Sequence, residues 1–302
     1  MVDLHVDPQD QRMLRAAHRA YSIKDNNVPV PKDDDYHLDI FVETPIGYTA
    51  GIDQIHAALL GKTSSEIVLA FRGTIPKDPW DVLNDADVPL VPFEGDGNVH
   101  QGFLRALTEL WREIAQPLTA LLDQNPGLPL TITGHSKGGS LALLAGVKIV
   151  RDLYDTVVTH GPLVIRTFAA PRVGDEVFRI ALEKITANIR RYEYGNDIVP
   201  HVPLSNVVVT ALDLIKDELP DWLRKLIDNI PEGYVSIGAL QYIPHDPTEI
   251  EGDTPKVAGT RLWKLIHAAL TSPEELISDH SSARDGGYAL ILDDDADAPA
   301  KT

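Results

Sequence analysis

Residues 128–150 read LPLTITGHSKGGSLALLAGVKIV. Three local instructions follow one another in this stretch. Residues 128–134 form a short apolar run ending in glycine, the pattern of a strand buried on both faces. Gly134-His135-Ser136-Lys137-Gly138 is a Gly-x-Ser-x-Gly turn, whose glycines permit a tight and strained backbone. Residues 140–150 then space Leu141, Leu143, Leu144 and Val147 as a helix does. The unit strand–turn–helix sets one serine at a helix N-terminus, where developing negative charge is favoured.

Working outward, IVLAFRG (67–73), VIRTFAA (164–170) and residues 190–194 are three more strand candidates. Helical patterns lie between them: Phe103, Leu104, Leu107, Leu110 and Trp111 recur at helical spacing. Strands alternating with helices predict the α/β class, a mostly parallel central sheet with helices on both faces. Upstream, Asp7 caps a first helix, Pro8 suits its first turn, and Met13, Leu14, Ala17 and Tyr21 share one face. Residues 39–52 alternate like a hairpin turning at Thr44-Pro45-Ile46-Gly47. Residues 206–255 are a long helical excursion carrying Leu212, Ile215, Leu219, Trp222, Leu223, Leu226, Ile227 and Ile230, with Pro220 opening a second helix. It reads as an insertion packed on the core, with a second cap over the site, a lipid-contacting surface or a dimer contact as the other readings. The expected organisation is one domain over 1–292 and a solvated, disordered acidic tail over 293–302.

Composition narrows the function. The 302 residues are 43% hydrophobic and 24% charged, ordinary for a globular chain. Lys and Arg number 27 against 45 Asp and Glu, a net charge of −18. That argues against nucleic acid and against electrostatic docking to anionic lipid. There is no cysteine, which excludes disulfides, thiolate metal sites and a cysteine nucleophile. No HExxH or clustered His/Asp spacing suggests a metal. MVDLHVDPQD has neither a basic nor an apolar leader region, and no apolar run approaches a membrane span. The compartment stays open between cytoplasm and a mature secreted form.

A serine on such a turn suits carboxyl-ester hydrolysis, which also needs an oxyanion hole, a base and an orienting acid. Arg72-Gly73-Thr74 closes an earlier core strand, at the end where α/β sheets assemble their sites. The amides of Thr74 and Lys137 would be the two oxyanion donors. Asp197 in YGNDIVPHVP follows the fourth strand; its competitor Asp175 reads as a helix cap. The order nucleophile, acid, base leaves His201, His245, His267 and His280 downstream. His201 lies too close to the acid, and His267 sits within the helical stretch LWKLIHAAL. His280 lies in SDHSS, a loop after a helix, the setting expected of the base; His245 is the second candidate.

IVLAFRGT, VHQGFLRAL, TGHSKGGSLALL, FAAPRVGDEVF and YGNDIVPHVP, followed by DHSS and Tyr288, together resemble the motif series of the class 3 lipases. The resemblance covers residues 67–201 and resumes at 280–288. It implies an α/β-hydrolase fold, serine-esterase chemistry and no cofactor. The family's nucleophile, acid and base fall on Ser136, Asp197 and His280, and its oxyanion residue falls on Thr74. His100 and His135 match family histidines that support the site. Three positions depart from the pattern: Lys137 replaces the common leucine, Asp175 replaces an asparagine, and the interval from Asp197 to His280 is long.

In that family the segment after the oxyanion residue carries the lid, which falls here on about residues 75–93. Trp80, Val82 and Leu83 in the short helical stretch PWDVLND are its substrate-facing candidates. The function expected is triacylglycerol hydrolysis, with lipid or another ester as partner, at a lipid–water interface. Phospholipase A1 and short-chain or feruloyl-type esterase are alternatives on the same scaffold. A catalytically inactive binding module is the alternative of another class.

Overall fold

The computed structural model describes residues 6–23, 42–50, 54–75, 88–153, 161–204, 206–219, 221–228, 233–246, 249–281 and 287–292. Its strands are β1 (Val42–Ala50), β2 (Gln54–Lys62), β3 (Ile67–Phe71), β4 (Leu90–Pro92), β5 (Asn98–His100), β6 (Leu130–His135), β7 (Leu163–Phe168), β8 (Ile189–Tyr194) and β9 (Ala239–Ile243). Seven of them form one sheet in the order β1-β2-β3-β6-β7-β8-β9, and β4 and β5 pair separately. Within the seven-stranded sheet every pairing from β3 onward is parallel, while β1–β2, β2–β3 and the separate β4–β5 pair are antiparallel.

The helices are α1 (Pro8–Arg19), α2 (Gln101–Gln124), α3 (Lys137–Asp152), α4 (Glu176–Ile185), α5 (Asn206–Asp213), α6 (Asp221–Asp228), α7 (Pro255–Thr271) and α8 (Glu275–Ser278). Strand alternation sorts the apolar side chains between two faces. Ile67, Leu69 and Phe71 join the core with α2, α3 and α4, while Val68 and Ala70 face α1. A third apolar cluster packs α5, α6 and α7 around Ile198, Val199 and Val202.

Helix α1 is capped by Asp7, whose side chain accepts from the Gln9 amide at 2.9 Å. Polar contacts fix it to the sheet. Asp10 is fully buried, ion-paired with Arg166 and bonded to Arg190 at 2.8 Å and to the Tyr192 hydroxyl at 2.6 Å. Breaking such a buried pair from one side typically costs about 3–5 kcal/mol.

Two sequence expectations are corrected. The chain does not turn at Thr44-Pro45-Ile46-Gly47: β1 runs straight through, with Pro45 opposite Leu59, and its hairpin partner is β2. β1 ends the strand order, and an edge strand tolerates the missing proline N–H. The excursion is also not wholly helical. It holds two helices, α5 and α6, but its residues 239–243 form β9, the last strand of the main sheet. Pro220 and the 293–302 tail lie outside the described residues.

Candidate active site

The parallel register sets Phe71 of β3 beside Gly134 of β6. Three residues beyond each stand Thr74 and Lys137, so both oxyanion candidates leave neighbouring strands at the same end of the sheet. Between β6 and α3, Ser136 is the helix N-cap with φ 57° and ψ −136°. A serine with positive φ is strained by about 1–3 kcal/mol, and the surroundings hold it there. A Cβ on Gly134 would lie 2.2 Å from the Gly138 carbonyl carbon, and one on Gly138 would lie 2.2 Å from the Phe71 carbonyl oxygen. Only glycines let the helix start this close to both strands. Ser136 itself donates its amide to the Phe168 carbonyl at 2.9 Å.

Lys137 is the first residue of α3, so its amide belongs to the group that a helix leaves without an intrahelical acceptor. Thr74 is half-buried.

Asp197 follows β8 in a tight turn and its side chain is fully buried. Its Oδ1 accepts the Val199 amide at 2.9 Å. Its Oδ2 stands 3.1 Å from Nδ1 of His280 and accepts the Tyr288 hydroxyl at 2.6 Å. With Nδ1–H donated to the carboxylate, Nε2 of His280 carries the free lone pair. Among the described residues, Ser136 Oγ and His280 Nε2 are both buried polar atoms with no hydrogen-bond partner. Catalytic hydrogen bonds often form fully only once substrate is bound.

Two groups around these three, Tyr288 and Tyr21, were not assigned from sequence, while His135 was expected to support the site. Tyr288 joins Asp197 to β8, because its oxygen also accepts the Tyr194 amide at 3.1 Å. Burial and the adjacent carboxylate push the Tyr288 phenol well above its usual range, so it remains a donor. Tyr21, past the end of α1, stands with its hydroxyl 3.0 Å from His135 Nδ1. His135 Nε2 lies 2.9 Å from the His280 carbonyl oxygen. Burial holds the His135 imidazole neutral, well below its normal pKa. It therefore donates from Nε2 and accepts from Tyr21. His135 thus links the first helix, the serine turn and the His280 loop. A sequence signal existed for Tyr288, whose position after the DHSS stretch closed the motif series; nothing local pointed Tyr21 at the site.

The other sequence candidates are placed elsewhere. Asp175 caps α4, accepting the Phe178 amide at 2.9 Å, and also bonds Asn98. His100 caps α2 and stacks on Phe103 with centroids 3.9 Å apart. His201 is half-buried beside Arg261 at 3.2 Å, and desolvation pushes it down to about 3. His267 is exposed on α7. His245 contacts Asp279, the residue before His280, at 2.5 Å. Trp80, Val82 and Leu83 lie outside the described residues. Of the anticipated lid, Ile75 is exposed, Leu90–Pro92 form β4 and Phe93 is buried. The described residues contain no cluster of three or more His, Asp or Glu suited to a metal ion, and none of their helices is long and apolar enough to cross a membrane.

The family profile described as Lipase (class 3) matches residues 68–207, the span holding Ser136, Asp197, Thr74 and Lys137. Over that span the chain is similar to the class 3 lipases. A chloroplastic phospholipase A(1) of Arabidopsis thaliana is 29% identical over 214 residues, 64% of this chain and 46% of its own length. A lipase of Rhizomucor miehei is 32% identical over 146 residues, 47% of this chain and 39% of its own length. The chain thus spans less than half the length of these curated relatives. Among solved structures, a lipase from Rhizopus microsporus var. chinensis superposes with a TM-score of 0.63 at 21% identity. That match covers 92% of this chain and 88% of the other. The fold is that of the α/β-hydrolases. The class 3 lipase profile ends at residue 207, so β9, His280 and Tyr288 fall beyond it.

Proposed function

We propose that this chain hydrolyses carboxylic esters of lipids through an acyl-enzyme on Ser136. The observation that carries the reading is the set of atoms around His280: Nδ1 is tied to Asp197 at 3.1 Å, while Nε2 and Ser136 Oγ are both buried and, among the described residues, have no hydrogen-bond partner. In this reading Oγ attacks the ester carbonyl carbon as Nε2 takes its proton. The carbonyl electron pair moves onto oxygen, and the amides of Thr74 and Lys137 hold the oxyanion, a contribution of roughly 10²–10³ in rate per donor. Collapse expels the alcohol, which takes the proton back from Nε2. Water then repeats the sequence on the acyl-serine, releasing the acid and restoring Ser136. Asp197 stabilises the imidazolium and fixes its tautomer.

Acylglycerol is the substrate favoured here, because the family's lipases are named for it and the sequence after Thr74 carries Trp80, Val82 and Leu83, the apolar residues of a candidate lid, among its aspartates. The similarity to a named phospholipase A(1) makes phosphatidylcholine the competing substrate. The test is p-nitrophenyl butyrate turnover by the wild type and by Ser136→Ala, followed by emulsified trioleoylglycerol against phosphatidylcholine. Loss of the nucleophile is expected to cost on the order of 10⁶ in kcat, by analogy with serine proteases. An inactive wild type on all three substrates leaves the binding-module reading. An active Ser136→Ala removes the assignment of the nucleophile.

A further inference from the structure

Asp197 and His280 come from segments far apart in sequence, and their meeting depends on how two turns are held together. Four contacts join them. Nδ1 of His280 reaches Asp197 at 3.1 Å, and the Asn196 amide donates to Asp279 Oδ2 at 2.7 Å. The Asn196 side-chain amide donates to Glu275 at 3.1 Å, and the Ile198 amide to the Leu276 carbonyl at 3.0 Å.

A third segment enters at this seam. His245, two residues past β9, stands with Nε2 2.5 Å from the same Asp279 Oδ2 that accepts the Asn196 amide. Its ring packs edge-on against Tyr194 with centroids 5.4 Å apart. Gly195, at φ +50°, is the position where the turn passes beneath the pair. A Cβ there would lie 2.3 Å from His245 Nε2 and 2.5 Å from Asp279 Oδ2. The same glycine donates its amide to Ile243 at 2.9 Å, and its carbonyl accepts the Tyr242 hydroxyl at 3.1 Å.

We propose that His245 is a positioning residue for the hydrolytic site: by donating Nε2–H to Asp279 it clamps the acid-bearing turn 194–198 onto the base-bearing turn 275–281. The clamp rests on the reading of Asp197 and His280 as acid and base. The groups facing His245 are Asp279 and Glu275 on the base side, Lys264 on α7 and Tyr194 on β8. The bond to Asp279, ahead of burial and Lys264, raises the imidazole above its ordinary pKa. The pair is charged where His245 is protonated, and a neutral Nε2–H tautomer still donates. Such charge-assisted bonds are roughly twice as strong as neutral ones. Asp279 sits next to the base, so its orientation passes directly to His280.

The test compares the wild type, Ser136→Ala, His245→Ala and His245→Gln by p-nitrophenyl butyrate kinetics from pH 5 to 9, with thermal melts alongside. Glutamine keeps an N–H donor near the place of Nε2. His245→Ala is expected to lower kcat about tenfold with KM unchanged, and His245→Gln to recover most of it, within about twofold of the wild type. In both variants the acidic limb of kcat/KM moves to higher pH, because losing the imidazolium leaves Asp279 uncompensated beside His280 and favours its protonated form. Wild-type kcat and an unmoved limb in His245→Ala overturn the clamp. Equal losses in both variants, with lowered melting and no change of limb, also overturn it in favour of a purely structural contact. An active Ser136→Ala, or a wild type that turns nothing over, brings down the site reading and the clamp with it.

Discussion

Tyr21 and His135 meet at 3.0 Å, hydroxyl to Nδ1, across a gap of 114 residues in the chain. His135 is almost fully buried and its imidazole neutral, so its Nδ1 has no water to replace that donor. Removing the hydroxyl alone, as in Tyr21→Phe, leaves a buried acceptor unsatisfied. A loss of about 1–3 kcal/mol in urea unfolding is expected. Esterase kcat falls as well, since His135 also holds the His280 carbonyl. Unchanged stability would mean that the contact carries no weight.

Tyr288→Phe tests the other aromatic partner. It removes one of the two groups on Asp197 Oδ2 and the acceptor of the Tyr194 amide. The carboxylate is then freer to rotate away from Nδ1 of His280. A fall of about tenfold in kcat is expected, the equivalent of roughly 1.4 kcal/mol in the barrier, with KM little changed. Steady-state kinetics on p-nitrophenyl butyrate read this directly.

Gly138→Ala puts a methyl 2.2 Å from the Phe71 carbonyl oxygen, a backbone atom that no rotamer change can move. The start of α3 and the end of β3 must separate. Such overpacking costs about 1–3 kcal/mol. The displaced strand end leads into Thr74, so kcat is expected to fall further than stability alone explains. A variant with a lowered melting temperature but wild-type kcat at low temperature would refute the link between this packing and the oxyanion donors.

Acid sensitivity follows from buried imidazoles. His56 is pushed down to about 4 and His201 to about 3, chiefly by burial, and His135 also lies well below its normal range. Between about pH 6.5 and those values the unfolded chain binds protons that the native state refuses. Stability therefore falls as pH falls, by up to about 1.4 kcal/mol per pH unit per histidine. His245 acts with the opposite sign: its raised value adds stability that is full below the unfolded pKa and lost as pH rises through the folded one. Urea unfolding at pH 7, 6 and 5 should show the net decline, and His201→Gln should flatten it. A stability independent of pH over this range would contradict the burial of these rings.

The features legible in the sequence were those that depend on local pattern. The core strands β3, β6, β7 and β8 announced themselves as apolar runs, and the serine turn as two glycines flanking His135-Ser136-Lys137. Pro45 misled because proline marks turns far more often than strands, and only its place on the sheet edge makes it harmless there. β9 was hidden because residues 239–243 alternate weakly and sit among helical stretches. The Tyr21–His135 and His245–Asp279 contacts could not be read, although His245 stood as the second candidate for the base. Both cross more than thirty residues of chain, and no periodicity or spacing encodes such a contact.

The last described strand, β9, ends at Ile243, whereas His280 and Tyr288 come later in the chain. As the protein is synthesised, every described strand, the serine turn and Asp197 therefore exist before the group that withdraws the proton. A nascent chain holds its nucleophile without a base, so under the proposed mechanism hydrolysis is withheld until the final turn docks against the 194–198 segment.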